Sequence, residues 1–208
     1  MTASRRRLIA ILALLGALAL GPALGAAQTP PGPDEMSLGD PKAKVTVIEY
    51  ASASCPHCAR FNNEIFPAFK ARFIDTGQVR YVFREFLTPP IEVAAASFLL
   101  ARCAGRDKYF SVLDTLFRGQ QQMYETGDVG GALVRAGQGA GMTQAQVEAC
   151  LADRAAAEAL NARVERYEQQ DGVHSTPTFV INGKMLDPAT APTLANLDAA
   201  IAAARAAR

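Results

Sequence analysis

The chemistry that stands out in this chain lies in four consecutive residues, Cys55-Pro56-His57-Cys58. Thiol–disulfide exchange, metal binding and covalent haem attachment all use a Cys-x-x-Cys spacing, so the motif alone does not choose among them. Haem attachment needs a histidine immediately after the second cysteine, whereas Ala59 stands there and His57 lies between the two thiols. A four-cysteine zinc site wants two close pairs, and the other two cysteines, Cys103 and Cys150, are far apart in separate helical patterns. Redox chemistry is the reading these spacings favour. Four cysteines allow three pairings, and the closeness of Cys55 and Cys58 favours joining them to each other, which leaves Cys103 with Cys150.

The flanking segments say how the pair is held. Val45-Thr46-Val47-Ile48-Glu49-Tyr50 is β-branched and aromatic and predicts a strand, followed by the short loop Ala51-Ser52-Ala53-Ser54. Pro56 suits the first position of a helix, and Phe61, Ile65, Phe69 and Phe73 recur every four residues, predicting a helix to about Ile74 that bends at Pro67 and stops at Gly77. Cys55 then stands at a helix N-terminus, where unpaired N–H groups and the axial dipole favour a thiolate, so Cys55 is the expected nucleophile. One turn deeper, Cys58 is placed to attack the Cys55 sulfur of a mixed disulfide; in reverse, the pair donates its disulfide. His57 can add a charge or hydrogen bond beside the thiolate. Stabilising the thiolate stabilises the reduced pair, which makes Pro56 and His57 the expected redox-tuning residues.

A second β-rich stretch over 79–86 completes a βαβ unit. Beyond Pro89-Pro90 the pattern predicts helices over about 91–103, 108–118, 129–137, 143–150 and 153–169, with Thr143 and Gln146 as a capping box. Thr178 to Ile181 then reads as a strand closed by Asn182-Gly183, with a return strand over 184–186 and a last helix over about 192–204. The order implies an α/β sheet domain interrupted at about 90–170 by an all-helical insertion packed over it. Tyr109, Phe110, Leu113, Leu116 and Phe117 have the spacing of a buried face, and Tyr124 is a candidate for shaping a groove. Glu49 falls on an inward part of the first strand, where an unpaired carboxylate is costly; Arg84 and Lys44 are the candidate partners.

Composition must be split before it is used. Residues 1–27 hold Arg5, Arg6 and Arg7, no acid, the 13-residue apolar run Leu8–Leu20 and the small-residue end Gly25-Ala26-Ala27, the order of a secretory signal peptide. The run is shorter than the roughly 20 residues a spanning helix needs. Ser4-Arg5-Arg6-Arg7-Leu8-Ile9 also resembles a twin-arginine signal, and three arginines equally serve an ordinary positive leader, so the route stays open. Removing 27 of 208 residues leaves 181, with 18 Lys plus Arg against 20 Asp plus Glu, a formal charge of −2. A chain so nearly neutral, with no basic stripe, is a poor nucleic-acid binder. Residues 28–43, rich in Pro, Gly and charge, are expected to be a flexible tail before a domain over 44–208. Export also permits disulfides.

Over residues 44–205 the chain resembles the thioredoxin superfamily and, within it, the DsbA-like exported thiol–disulfide oxidoreductases of bacteria. The marks are Glu49-Tyr50 shortly before Cys55, the Cys55-Pro56-His57-Cys58 centre, the helical insertion after the βαβ unit, and Gly172-Val173-His174-Ser175-Thr176-Pro177-Thr178-Phe179 entering the third strand. The resemblance implies a thioredoxin-like fold with a central mixed sheet and an inserted helical subdomain. It implies that Pro177 is a cis-proline facing the pair and that the Thr176 backbone receives an extended substrate peptide. It makes Glu49 a buried acid exchanging protons with Cys58, so that Cys55, Cys58, His57 and Glu49 form the catalytic set. It assigns Cys103–Cys150 to a structural bridge in the insertion. The only redox group expected is the Cys55–Cys58 disulfide itself. Expected surroundings are the periplasm, reduced exported proteins as substrates, a DsbB-like quinone-linked membrane oxidase as partner, and a monomeric state.

An isomerase or reductase of the same fold carries nearly the same marks. The tail is too short for the separate dimerisation domain common among such isomerases, and Pro56-His57 resembles the oxidising branch. A binding or chaperone module using the groove beside Pro177 is a third reading, against which both thiols argue.

Overall fold

A computed structural model describes Gly32 and residues 34–207, so the expected leader and much of the tail lie outside the described residues. Two stretches rich in β-branched and aromatic residues, Val45–Ala51 (β2) and Val79–Glu85 (β3), pair in parallel, with Val45 opposite Val79 and Ala51 opposite Glu85. Parallel neighbours need a crossover, and residues 56–74 supply it. Thr178–Ile181 (β4) runs antiparallel to β2, and Lys184–Met185 (β5) returns along it. Asn182 and Gly183 make that turn with φ of 47° and 81°, the left-handed pair that a tight hairpin demands.

Met36–Leu38 (β1) completes the sheet, antiparallel to β3, in the order β1-β3-β2-β4-β5. It corrects the expectation that structure begins near Lys44 after a flexible tail. Three residues are too few to show a period, and what fixes them is tertiary: Met36 is buried, and the Glu35 carboxylate accepts from Arg84 Nε at 2.6 Å.

The crossover is helical throughout but not uniform. Pro56–Arg60 (α1) passes into a π-helical turn, Phe61–Ile65, then Phe66–Phe69 (α2) and a second π turn, Lys70–Ile74. The first π turn brings Pro67 into the opening turn of α2, where its missing N–H is no loss, so the proline is absorbed by a change of pitch. Gly77, at φ 70°, ends the segment.

The insertion comprises Ile91–Cys103 (α3), Arg106–Thr126 (α4), Val129–Gly139 (α5), Gln144–Leu151 (α6) and Arg154–Asp171 (α7). Thr143 and Gln146 form both hydrogen bonds of a capping box at α6. Sequence pattern stopped α4 at 118; the helix runs through Gly119 because Leu116, Phe117, Gln120 and Met123 continue its buried face. Leu194–Ala206 (α8) closes the chain. Aromatic rings join insertion to sheet: Phe83 on β3 meets Phe98 of α3 at 6.0 Å and Tyr109 of α4 at 6.1 Å. Phe98 is fully buried, and its truncation to alanine costs about 3–5 kcal/mol.

Arg84 is fully buried between the Glu35 and Asp171 carboxylates, at 2.6 and 2.8 Å. It therefore does not balance Glu49. Lys44 does not do so either: its carbonyl takes part in the hairpin contact with Asn182, and no ion pair joins it to Glu49 among the described residues. Glu85, also buried, is held by Arg102 at 2.6 Å and Arg163 at 2.8 Å. These charges are compensated where they lie, as buried charges must be.

Candidate active site

Cys55 caps α1 in an extended conformation, with Pro56 following it as the first helical residue. No side-chain hydrogen bond caps this end, and the free backbone N–H groups of Cys58 and His57 both favour the Cys55 thiolate. The largest influence is the hydrogen bond from the Cys58 thiol. Partial burial opposes it, Thr176 reinforces it, and the balance lowers the Cys55 pKa from 9.0 to about 5. Cys58 behaves oppositely. It is 1% exposed, and burial, together with the neighbouring Cys55 and Glu49 charges, raises its pKa well above 9.0. Both thiols are free, one poised to be anionic and the other to be protonated.

The His57 side chain is exposed, and its contribution to the thiolate comes through its backbone N–H. Across the site the Thr176-Pro177 bond is cis, and the Cys55 thiol donates to the Thr176 carbonyl at 3.6 Å. The Thr176 hydroxyl is buried without a hydrogen-bond partner in this geometry, close enough to Cys55 to favour its thiolate.

Glu49 is buried on the inner end of β2, and its carboxylate accepts from the Tyr81 hydroxyl. Glu35, Glu85 and Asp171 each have a guanidinium partner; Glu49 has no ion pair among the described residues. Desolvation therefore prevails, and the Glu49 pKa rises from 4.5 to about 8, against the lowering effect of Tyr81. A carboxyl with that pKa beside Cys58 can both give and take a proton near neutral pH.

Several supports were not read from the sequence. Gln120, buried on α4, donates through Nε2 to the Ala53 carbonyl at 2.8 Å and the Cys55 carbonyl at 3.3 Å. Tyr124, one turn further, donates to the Ser54 carbonyl at 3.2 Å, fixing the site loop instead of simply lining a groove. Ser54 Oγ donates to the Thr88 carbonyl at 2.6 Å and lies 3.0 Å from Ser52 Oγ. The available signal for Gln120 was a polar residue interrupting an apolar helical stripe. For Tyr81 it was the strand register: Glu49 lies opposite Phe83, so Tyr81, two residues earlier, shares its face.

The distant cysteines are joined: Cys103 at the end of α3 is bonded to Cys150 in α6, with Cα atoms 6.0 Å apart. No group of three or more metal-ligating side chains occurs among the described residues.

A family model described as Thioredoxin matches residues 32–203. The chain belongs to the thioredoxin family. A Rickettsia bellii protein named for protein-disulfide oxidoreductase activity is 33% identical over 151 residues, covering 72% of this chain and 58% of that protein. Disulfide bond formation protein D of Bacillus subtilis is 28% identical over 157 residues, covering 72% of this chain and 68% of the relative. The chain thus spans little more than half the length of the Rickettsia relatives it matches. Among solved structures, alpha-DsbA1 of Wolbachia pipientis superposes with a TM-score of 0.76 at 25% identity, covering 85% of this chain and 94% of that one. This thioredoxin-family chain therefore has the DsbA-type architecture: a mixed sheet with a helical insertion between β3 and β4.

Proposed function

We propose that the chain is an exported thiol–disulfide oxidoreductase that donates the Cys55–Cys58 disulfide to reduced exported proteins. The observation that carries this reading is the opposed state of the two thiols, with Cys55 lowered to about 5 and Cys58 raised. A stabilised Cys55 thiolate favours the reduced pair, and the disulfide is accordingly a strong oxidant.

In the forward reaction a client thiolate attacks Cys55 Sγ. A client–Cys55 disulfide forms, the Cys55–Cys58 bond breaks, and Cys58 leaves as a thiolate that takes a proton from Glu49. A second client thiolate then attacks the client sulfur of the mixed disulfide. The client disulfide forms and Cys55 is released as its favoured thiolate. Pro56 leaves the helix start without a donor of its own, and His57 contributes its N–H. A groove of about 610 Å³ beside Thr176 and Pro177, walled by α1 and by the loop after β5, has room for an extended client segment. Cys103–Cys150 serves as a structural bridge.

Reoxidation is assigned to a DsbB-like quinone-linked membrane oxidase, the location to the periplasm, and the working form to a monomer. No nucleic-acid partner is assigned. The family likeness and the relatives' names support the exchange chemistry.

The test is the reduction potential of Cys55–Cys58. The oxidase reading expects a value nearer the roughly −120 mV of a strong disulfide donor than the roughly −270 mV of a reductant. A reductant-like potential points to the reductase reading. Rescue of a scrambled substrate at the rate of dithiol oxidation points to an isomerase.

A further inference from the structure

Glu49, only 3% exposed, borders a cavity of about 330 Å³ that also reaches Tyr81. The cavity lies in the seam between the crossover helix and α4 of the insertion, walled by Phe66 and Phe110. Its outer part is polar. Asn62 Nδ2 donates to Asp114 Oδ1 at 2.9 Å, Arg118 Nε donates to Asp114 Oδ2 at 2.8 Å, and Lys70 and the exposed Ser111 complete the rim.

A client joined to Cys55 covers the front of the site at the stage when Cys58, itself 1% exposed, must gain its proton. The proton that Glu49 gives up must then be replaced from elsewhere. We propose that this cavity is the path by which Glu49 exchanges protons with solvent, and that Tyr81 is the positioning residue that holds the Glu49 carboxyl at its inner end. The inference rests on the reading of Glu49 as the proton partner of Cys58.

The transfer balances simply. The Glu49 carboxylic acid and the Cys58 thiolate become carboxylate and thiol, and water entering the seam returns a proton to the carboxylate. The reverse sequence serves reoxidation. The groups that act on Glu49 are Tyr81 from β3 and Cys55 and Cys58 from the α1 end, with Tyr109 of α4 acting on Tyr81; Lys70, Asp114 and Arg118 are the charges that line the same cavity. Tyr81 and Tyr109 are buried and held protonated well above 10, so they contribute hydrogen bonds and not charge.

The experiment uses the full mature chain, oxidised, and a reduced model dithiol peptide. Oxidation rate and the proton balance, the latter followed with an indicator dye, are recorded as a function of pH; the peptide thiols give up two protons, the enzyme takes one back through Glu49, and one is released per disulfide formed. Glu49→Gln is expected to slow the reaction about a hundredfold. Ser111→Trp and Asn62→Leu, placed at the rim to close it, are expected to slow turnover about tenfold and make proton uptake lag behind disulfide formation. The Cys55 pKa and the melting temperature should stay as in the parent. Tyr81→Phe removes the donor that lowers the Glu49 pKa, so the Glu49 titration expected near pH 8 in the rate profile of the parent should move upward. Parental rates and synchronous proton uptake in both rim variants, with Glu49→Gln slow, overturn the cavity path and leave the role of Glu49 intact. A parental rate in Glu49→Gln overturns that role itself. An unmoved pH profile in Tyr81→Phe overturns the assignment of Tyr81.

Discussion

The two cysteine pairs of this molecule begin with the same functional group and arrive at opposite states. Cys55 and Cys58 are three positions apart, at a helix N-terminus supplied with N–H donors, opposite a cis-proline and near an acid without an ion-pair partner among the described residues. Cys103 and Cys150 are 47 positions apart, on two helices of the insertion, and are bonded to each other. The two pairs differ in the donors and charge that surround them. Each thiol of the first pair has its protonation set by named neighbours; the second pair ties two helix ends.

The sharpest way to break the comparison is to remove one sulfur from each pair in turn. Cys55→Ser is expected to lower dithiol oxidation by more than about a thousandfold, because it removes the sulfur that forms the mixed disulfide and leaves only the buried Cys58 thiol of the pair. Cys103→Ser with Cys150→Ser should leave the oxidation rate within about twofold, since the bridge joins two helices of the insertion and, among the described residues, shares no hydrogen bond with the Cys55–Cys58 loop. Closing a loop of that length stabilises by roughly 4 kcal/mol on a chain-entropy estimate, and denaturant unfolding of the double variant should show a loss of that order. A large fall in oxidation rate without a fall in stability would give the second pair a redox role.

Graded reduction sharpens the same contrast. Cys55–Cys58 is expected to open first, as read by mass mapping, because reduction yields a stabilised Cys55 thiolate; Cys103–Cys150 opening first would reverse the assignment of the two pairs. A smaller effect is expected of Thr176→Val. It removes one of several groups favouring the thiolate, so the Cys55 pKa should rise by about one unit and the disulfide become correspondingly less oxidising.

The elements around the reactive pair were largely legible. β-branched runs marked β2, β3 and β4, Asn182-Gly183 marked the hairpin, and Thr143 with Gln146 marked the start of α6, because each of these signals is local. Harder to read were features made by chain segments meeting. The strand Met36–Leu38 exists through contacts with β3 and Arg84. Arg84 looked available to Glu49 because both lie in the core sheet, but the pleat turns Arg84 toward Glu35 and Asp171, which are 49 and 87 positions away. Gln120 and Tyr124 reach the cysteine loop only because α4 continues past Gly119, where propensity suggested a stop. The second cis bond, Pro89-Pro90, had no distinguishing local signal.

The lowered pKa also sets a pH dependence for the reduced protein. A thiol whose folded pKa lies below its unfolded value adds stability that is fully present above about 9 and is lost as pH falls through about 5. The extra stability of the reduced form over the oxidised form should therefore shrink steadily across that interval as the solution is acidified.

The central claim is that Cys55 is the anionic member of an oxidising pair, and titration of the ultraviolet thiolate absorbance of the reduced protein tests it most directly. The account predicts a single-thiolate midpoint near pH 5, absent in Cys55→Ser and retained when Cys103 and Cys150 are both replaced. A midpoint near the ordinary thiol value of 9.0 would contradict it.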